Sequence, residues 1–344
     1  MSSADVTRKG LRGIRAGRDA LTGAATGRRR RHGGRHGRGE QPMVPPAQFT
    51  SYYGKPVINS PVWESPDIPG YLFLGGLAGA SSLLAAGAQL TGRPGLARAT
   101  KTGAFAAGCV SVLALIHDLG RPGRFLNMMR VFKVTSPMSV GSWLLGGYVP
   151  AAGVAAGTAL TGLLPRIGAA GTAGAAVLAP AVATYTAALI SDTAVPAWHD
   201  GHREMPFLFA GSGAMAAGGL GLAAAPVRES APARYLALAG LALEAAALER
   251  MKKRIGMVSE PYRHGRGGAY IKAGQALSLL GAAGAALGGR SRAITALSGA
   301  AFVAASAATR WGVFHAGMES SADPKYTVVP QRERLRARDR EQAG

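Results

Sequence analysis

The sequence predicts an all-α integral membrane protein, a bundle of about eight transmembrane helices with both termini cytoplasmic. Three observations lead there. Apolar residues come in blocks of about 20, the length that crosses a hydrocarbon core. The blocks are rich in Ala, Gly and Leu, and Lys and Arg collect between and outside them. In the short loops, basic residues are commoner on the side of the N-terminus, which the positive-inside rule assigns to the cytoplasm of a plasma-membrane protein.

The first 50 residues precede any span and read as a disordered basic arm. Their run "GRRRRHGGRHGRGE" has neither helical periodicity nor interleaved aromatics. The net charge of +21 raises the possibility of nucleic acid. Its confinement to the arm, a few loops and the tail favours anionic membrane lipids as partners instead, and nucleic acid is not expected.

Eight spans are expected within a membrane domain over residues 51–318: 68–90, 102–117, 138–164, 167–190, 206–227, 234–251, 269–288 and 294–314. Pro150 and Pro180 fall inside two of them, where membrane helices tolerate proline. Gly75 and Gly79 have the spacing of a close helix approach, a weak signal in a chain with 50 glycines. A charged cytoplasmic tail is expected over 319–344.

Cys109 is the lone cysteine. One thiol holds no iron–sulfur cluster, so any electrons handled here must be carried by another subunit or a diffusible cofactor. Nor are two histidines placed to face each other inside the bundle as a membrane haem requires. No metal site is expected.

Unusual polar residues gather at the span ends on the N-terminal side. Asp67 opens the first span, His117 and Asp118 close the second, Asp192 closes the fourth, Glu244 lies toward the end of the sixth, Lys272 opens the seventh, and Arg310 and His315 close the eighth. The tryptophans Trp63, Trp143, Trp198 and Trp311 fall on the same side, as interface anchors would. An ionisable group in a span is a functional candidate by default. For Glu244 the alternatives are an interhelical partnership with Lys272 or Arg310, or a role in proton transfer or at the rim of a ligand site. For His117 they are a structural bond to Asp118 or a carbonyl, or a bond to a small-molecule carbonyl or proton relay.

The connector after Asp118 is unexpectedly basic. "RFLNMMRVF" sets Phe125, Met128, Met129 and Phe132 at helical spacing against Arg124, Arg130 and Lys133, which predicts a short amphipathic helix along the interface. With Arg121, these cations form a candidate docking surface for a partner or for lipid headgroups. Ser136 before Pro137 is a helix-start signal.

Several motifs together resemble one family. "YYGKPVINSPVW" (52–63), "IPGYLFLGGLAGASSLLA" (68–85) and "DLGRPGRFLNMMRVFKVTSPMSVGSW" (118–143) are similar to the membrane subunit of polysulfide-reductase and NrfD-type complexes, and "SDTAVPAWHDGHREMPFLFAGSG" (191–213) is similar to that family's later turn. The resemblance implies a haem-free anchor that passes electrons between membrane quinone and a docked four-cluster ferredoxin-type iron–sulfur subunit. That subunit in turn contacts a molybdopterin catalytic subunit, as in formate dehydrogenase-like systems.

In the family, polar side chains near the start of the first helix hold the quinone. Here that region offers Glu64, Asp67 and Tyr71. The expected quinone-binding set is Tyr71, Asp67 and His117, for a loosely bound menaquinone or ubiquinone. Asp118, Asp192 and Glu244 are the expected proton-transfer groups. Two other classes compete: a transporter, disfavoured by polar groups at one face only, and a purely structural anchor for a soluble dehydrogenase.

Overall fold

The computed structural model describes residues 6–7, 10–11, 56–119, 123–287 and 291–343. The arm expected over 1–50 lies outside them except for an antiparallel pairing of β1 (Val6–Thr7) with β2 (Gly10–Leu11). Residues 61–320 form one compact unit. The described residues outside it include the helix Lys325–Ala343.

The membrane unit is helical throughout. Its long helices are α1 (Asp67–Leu90), α2 (Pro94–Asp118), α4 (Pro137–Thr161), α5 (Pro165–Ser191), α7 (Met205–Ala224), α8 (Ala231–Arg254), α9 (Gly265–Leu287) and α10 (Arg292–Ala322); α3 (Gly123–Met128) and α6 (Pro196–His199) are short connectors. Among the described residues, seven helices are long and apolar enough to cross a membrane. The eighth expected span does form a helix, α9, of sufficient length. Lys272 and polar neighbours such as Tyr270 and Gln275 keep it short of the same apolarity.

Proline at the first helical turn starts α2, α4, α5, α7 and α8, where its missing N–H costs nothing. Ser136 caps α4 by accepting from the Ser139 amide at 3.4 Å. Pro150 and Pro180 sit inside α4 and α5, which continue through them.

Packing depends on the missing side chains of a few glycines. A Cβ on Gly79 would stand 2.7 Å from the Ala179 carbonyl oxygen, so α1 and α5 cross there at backbone contact. The wider spacing at Gly75 shows that only one of that pair is needed. Gly211 and Gly240 make a similar close contact between α7 and α8.

Pairs at the helix ends establish which loops share a face. At one face, Asp67 of α1 meets His117 of α2, and Glu204 before α7 meets Arg254 of α8. At the other, the Glu229 carboxylate accepts from the Leu96 amide at 2.9 Å, capping α2. There too Arg292 of α10 donates to the carbonyls of Leu222 and Ala223 at the end of α7. The faces are called here the near face and the far face.

Two expectations about the near face change. Trp198 is no interface anchor: it is fully buried, donates through Nε1 to the Val313 carbonyl at 2.8 Å, and stacks on Trp63 with ring centroids 5.5 Å apart. Its indole fills the space a side chain at Gly317 would need. The last span does not stop near Phe314 but runs to Ala322. Arg310 therefore lies about 18 Å of helix rise before the end, inside the bundle and not at its rim.

Candidate functional site

Asp67 and His117 are brought together by the antiparallel packing of α1 and α2. His117 Nδ1 and Asp67 Oδ2 are 2.7 Å apart. The carboxylate is 21% exposed and the imidazole 81% exposed. Asp67, not the adjacent Asp118, is thus the partner of His117. The bond fixes the ring's orientation and leaves its other nitrogen facing outward. Asp118 is half-buried at the C-terminal end of α2.

One turn deeper, Tyr71 shares the face of Asp67 on α1. It is only 3% exposed, and its hydroxyl is hydrogen-bonded to that of Tyr185 on α5. The rings meet edge to face at 6.3 Å. Gly141 of α4 makes room for the Tyr185 ring. Ser111 of α2 donates to the Tyr71 carbonyl at 3.4 Å. Tyr185 was missed in the sequence, although a phenol within an apolar span, "VATYTAAL", was a usable signal.

The remaining predicted residues separate. Asp192 is exposed at the C-terminus of α5. Glu244 belongs to another system, held by α7, α8 and α10. It is 6% exposed and accepts from Thr309 Oγ1 at 2.8 Å, while its Oε2 has no hydrogen-bond partner. Ser212 and Ser306 bond each other at 2.8 Å next to it.

Arg310 completes that cluster. It is fully buried, donates to the Phe209 carbonyl at 2.8 Å and lies 3.6 Å over the Phe209 ring. Of the two cations weighed as partners of Glu244, Arg310 interacts with it electrostatically and Lys272 is exposed. Attraction between opposite charges offsets part of the cost of burying them. Arg310 Nε and Nη1 nonetheless remain without partners.

The basic connector is laid out as a surface. Arg124, Arg130 and Lys133 are exposed, and so are Leu126, Val131, Phe132 and Val134. Phe125 packs on the core, and Met129 packs against Gly146 of α4. The expected apolar face thus holds for Phe125, Met128 and Met129, which are half-buried. Phe132 lies beyond the end of α3 and sits edge-on to Trp143 at 6.1 Å. Arg121 lies outside the described residues.

Behind this face, Arg254 grips Glu204 through Nε and Nη2, with Nη2 to Oε2 at 2.6 Å. Those hydrogen bonds hold the Glu204 carboxyl below the usual glutamate range. Tyr262, in a 3-10 segment over Gly256–Tyr262, donates to the Ala197 carbonyl at 2.9 Å. Together they tie α6, α7, α8 and the loop before α9 into one plate.

Among the described residues, no group of three or more His, Cys, Asp or Glu side chains is placed to hold a metal. Residues 57–248 match the family model described as "Polysulphide reductase, NrfD". The chain belongs to the NrfD family. None of the curated proteins searched matches it. The NrfD match runs from just before α1 to Leu248 in α8, so it includes Asp67, Tyr71, His117 and Glu244, whereas Thr309 and Arg310 lie beyond it. Membership makes the protein a multi-pass membrane anchor subunit of the molybdopterin oxidoreductase class, which associates with iron–sulfur and catalytic subunits. Subunits of the NrfD family typically interact with quinone and carry no haem.

Proposed function

We propose that this NrfD subunit is quinone-reactive at its near face, and that Asp67 and His117 form the mouth of the quinone site. The supporting observation is the Asp67–His117 hydrogen bond, 2.7 Å long and facing open space, one helical turn above the buried Tyr71–Tyr185 pair. A quinone accepts two electrons and two protons at its carbonyl oxygens, so its site needs a donor for an oxygen and a route to water. His117 fits the first need: Asp67 occupies Nδ1, and the exposed second nitrogen is free to donate to a carbonyl. Asp67 stabilises the protonated ring, and Asp118 stands beside it to resupply the proton.

Tyr71 enters this reading in a changed role. Its hydroxyl is closed off by Tyr185, so it backs the site as a second-rank donor and does not line an open surface. Glu244 supplies no proton to this mouth, because α7, α8 and α10 enclose it on the other flank of α1. Asp192 is exposed and serves proton exchange with water only.

Electrons arrive from an iron–sulfur partner docked on the segment carrying Arg124, Arg130 and Lys133, with the near face cytoplasmic. Its exposed cations and adjacent Phe132 and Trp143 suit an acidic partner surface with an apolar centre. Menaquinone and ubiquinone both satisfy this chemistry, and a formate-oxidising complex is one setting for it. Binding of a quinone analogue to the purified chain tests the site. Asp67→Asn and His117→Ala are expected to weaken it with the fold intact, and unchanged affinity in both would refute the assignment.

A further inference from the structure

The four helices α1, α2, α4 and α5 enclose a charge that the near-face chemistry does not use. Lys101 of α2 is only 9% exposed, and its Nζ donates to Gln89 Oε1 at 2.5 Å. Thr172 of α5 donates to the same oxygen at 3.3 Å. An ammonium carries three donors, so two remain after the bond to Gln89. The neutral amide supplies no negative charge.

No carboxylate of these four helices is within reach of the lysine. Asp67 and Asp118 are the acids of α1 and α2, both at the near face, and α4 and α5 contain none. Asp118 lies about 26 Å of helix rise from Lys101. On the far face, Glu229 is taken up by the Leu96 amide. Among the described residues no carboxylate forms an ion pair with Lys101. A charge buried within a span is costly unless it is paired, so a counter-charge from outside the chain is called for.

Lys101 lines a small, partly open cavity with room for about one water. Ser82 of α1, Thr172 and four alanines complete the lining, Ala155 of α4 among them. Ser82 Oγ lies 2.8 Å from the Tyr148 hydroxyl, and with the tyrosine donating, the serine's own hydrogen is left for the cavity. The Thr172 hydrogen is spent on the carbonyl oxygens of Gly168 and the Gln89 side chain. The wall thus offers a positive charge, a hydroxyl donor and methyl groups. Water would meet the donors but leave the charge uncompensated, whereas an anion answers both.

We propose that this cavity binds one monatomic anion, chloride or bromide, as the counter-ion of Lys101, held by the ammonium and the Ser82 hydroxyl. A monatomic halide is close to a water in size; formate, nitrate and phosphate are larger than the space. Gln89 is exposed at the end of α1, so the ion enters from the far face. It ties α2 to α1 and α5 beside the α1–α2 turn. The site stands independently of the quinone reading.

Thermal unfolding of the purified full chain in detergent tests it, in sodium chloride, sodium bromide or sodium gluconate at equal ionic strength. Because a ligand that binds only the folded state raises Tm by mass action, chloride and bromide are expected to give a saturating rise that gluconate does not. The rise should be lost in Lys101→Met, and also in Ala155→Val, which keeps the charge and narrows the cavity. Halide bound loosely to surface cations acts equally on all three proteins and cancels in the comparison. On the same samples, chloride-35 NMR should show line broadening that bromide relieves in the wild type and not in Lys101→Met. Equal halide dependence of wild type and Lys101→Met would overturn the proposal. So would no halide dependence in the wild type, the result expected if the cavity holds water only.

Discussion

Two acid–base pairs flank helix α1, and their surroundings are opposite. Asp67 and His117 meet at the rim, with the imidazole in open space, while Glu244 and Arg310 are sealed among α7, α8 and α10 with three polar atoms unpartnered. Removing a member of an exposed pair disturbs the fold little, whereas removing one of a buried pair leaves a charge without compensation. The rim pair is thus free to serve a ligand. The sealed pair is first of all part of the architecture.

This contrast is broken most severely at Arg310. Arg310→Met strands the Glu244 carboxylate and is expected to cost about 3–5 kcal/mol, measured as thermal or denaturant unfolding in detergent. Adding Glu244→Gln is expected to restore much of that loss. Equal instability of the single and double variants would show that the two side chains do not compensate each other.

A smaller loss, about 1–3 kcal/mol, is expected for Gly317→Ala, because the new methyl meets the Trp198 indole. Its Tm should fall while Trp198 fluorescence shifts. No shift would mean that the indole is not held as described.

The near-face plate sharpens the comparison through pH. Glu204 has its folded pKa lowered by Arg254, so its stabilising contribution is complete above the ordinary glutamate range near 4.3 and fades as pH falls through the lower folded value. Stability of the wild type relative to Glu204→Gln should therefore be constant from pH 7 to about 5 and shrink only in stronger acid. A difference that instead grew on acidification would have the wrong sign for this pair.

The smallest effect on the fold is expected at the basic connector. Replacing Arg124, Arg130 and Lys133 by serine should leave unfolding unchanged, since all three are exposed. It should weaken co-purification of the iron–sulfur partner most at low salt, and the difference from wild type should shrink as salt screens the wild-type cations. Undiminished co-purification would move the docking surface elsewhere.

Much of this was legible in the sequence because hydrophobic blocks and helix-start prolines are local signals. The order of spans, the Ser136 cap and the partly buried Phe125, Met128 and Met129 follow from such signals. The depth of Arg310 was not legible. Helix α10 continues past His315 and Glu319, and Glu319 accepts from the Arg266 amide at the start of α9. Polar residues that looked like a span end are tertiary contacts.

Lys101 was obscured by the boundary on the other side. Beginning the second span at Thr102 put the lysine in a loop, whereas Pro94 at the start of α2 places it two turns inside. The pairing of His117 with Asp67 in place of Asp118, and the closure of Tyr71 by Tyr185, join residues 50 and 114 positions apart. Those partnerships follow from how α1 packs on α2 and α5, which no local pattern encodes.

The central claim is that the rim pair meets quinone. Titrating a fluorescent quinone analogue into the wild-type chain and into Asp67→Asn, His117→Ala and Glu244→Gln tests it most directly. The account predicts weakened binding for the first two and unchanged binding for any Glu244→Gln protein that remains folded. Full affinity in both rim variants, or loss confined to Glu244→Gln, would contradict it.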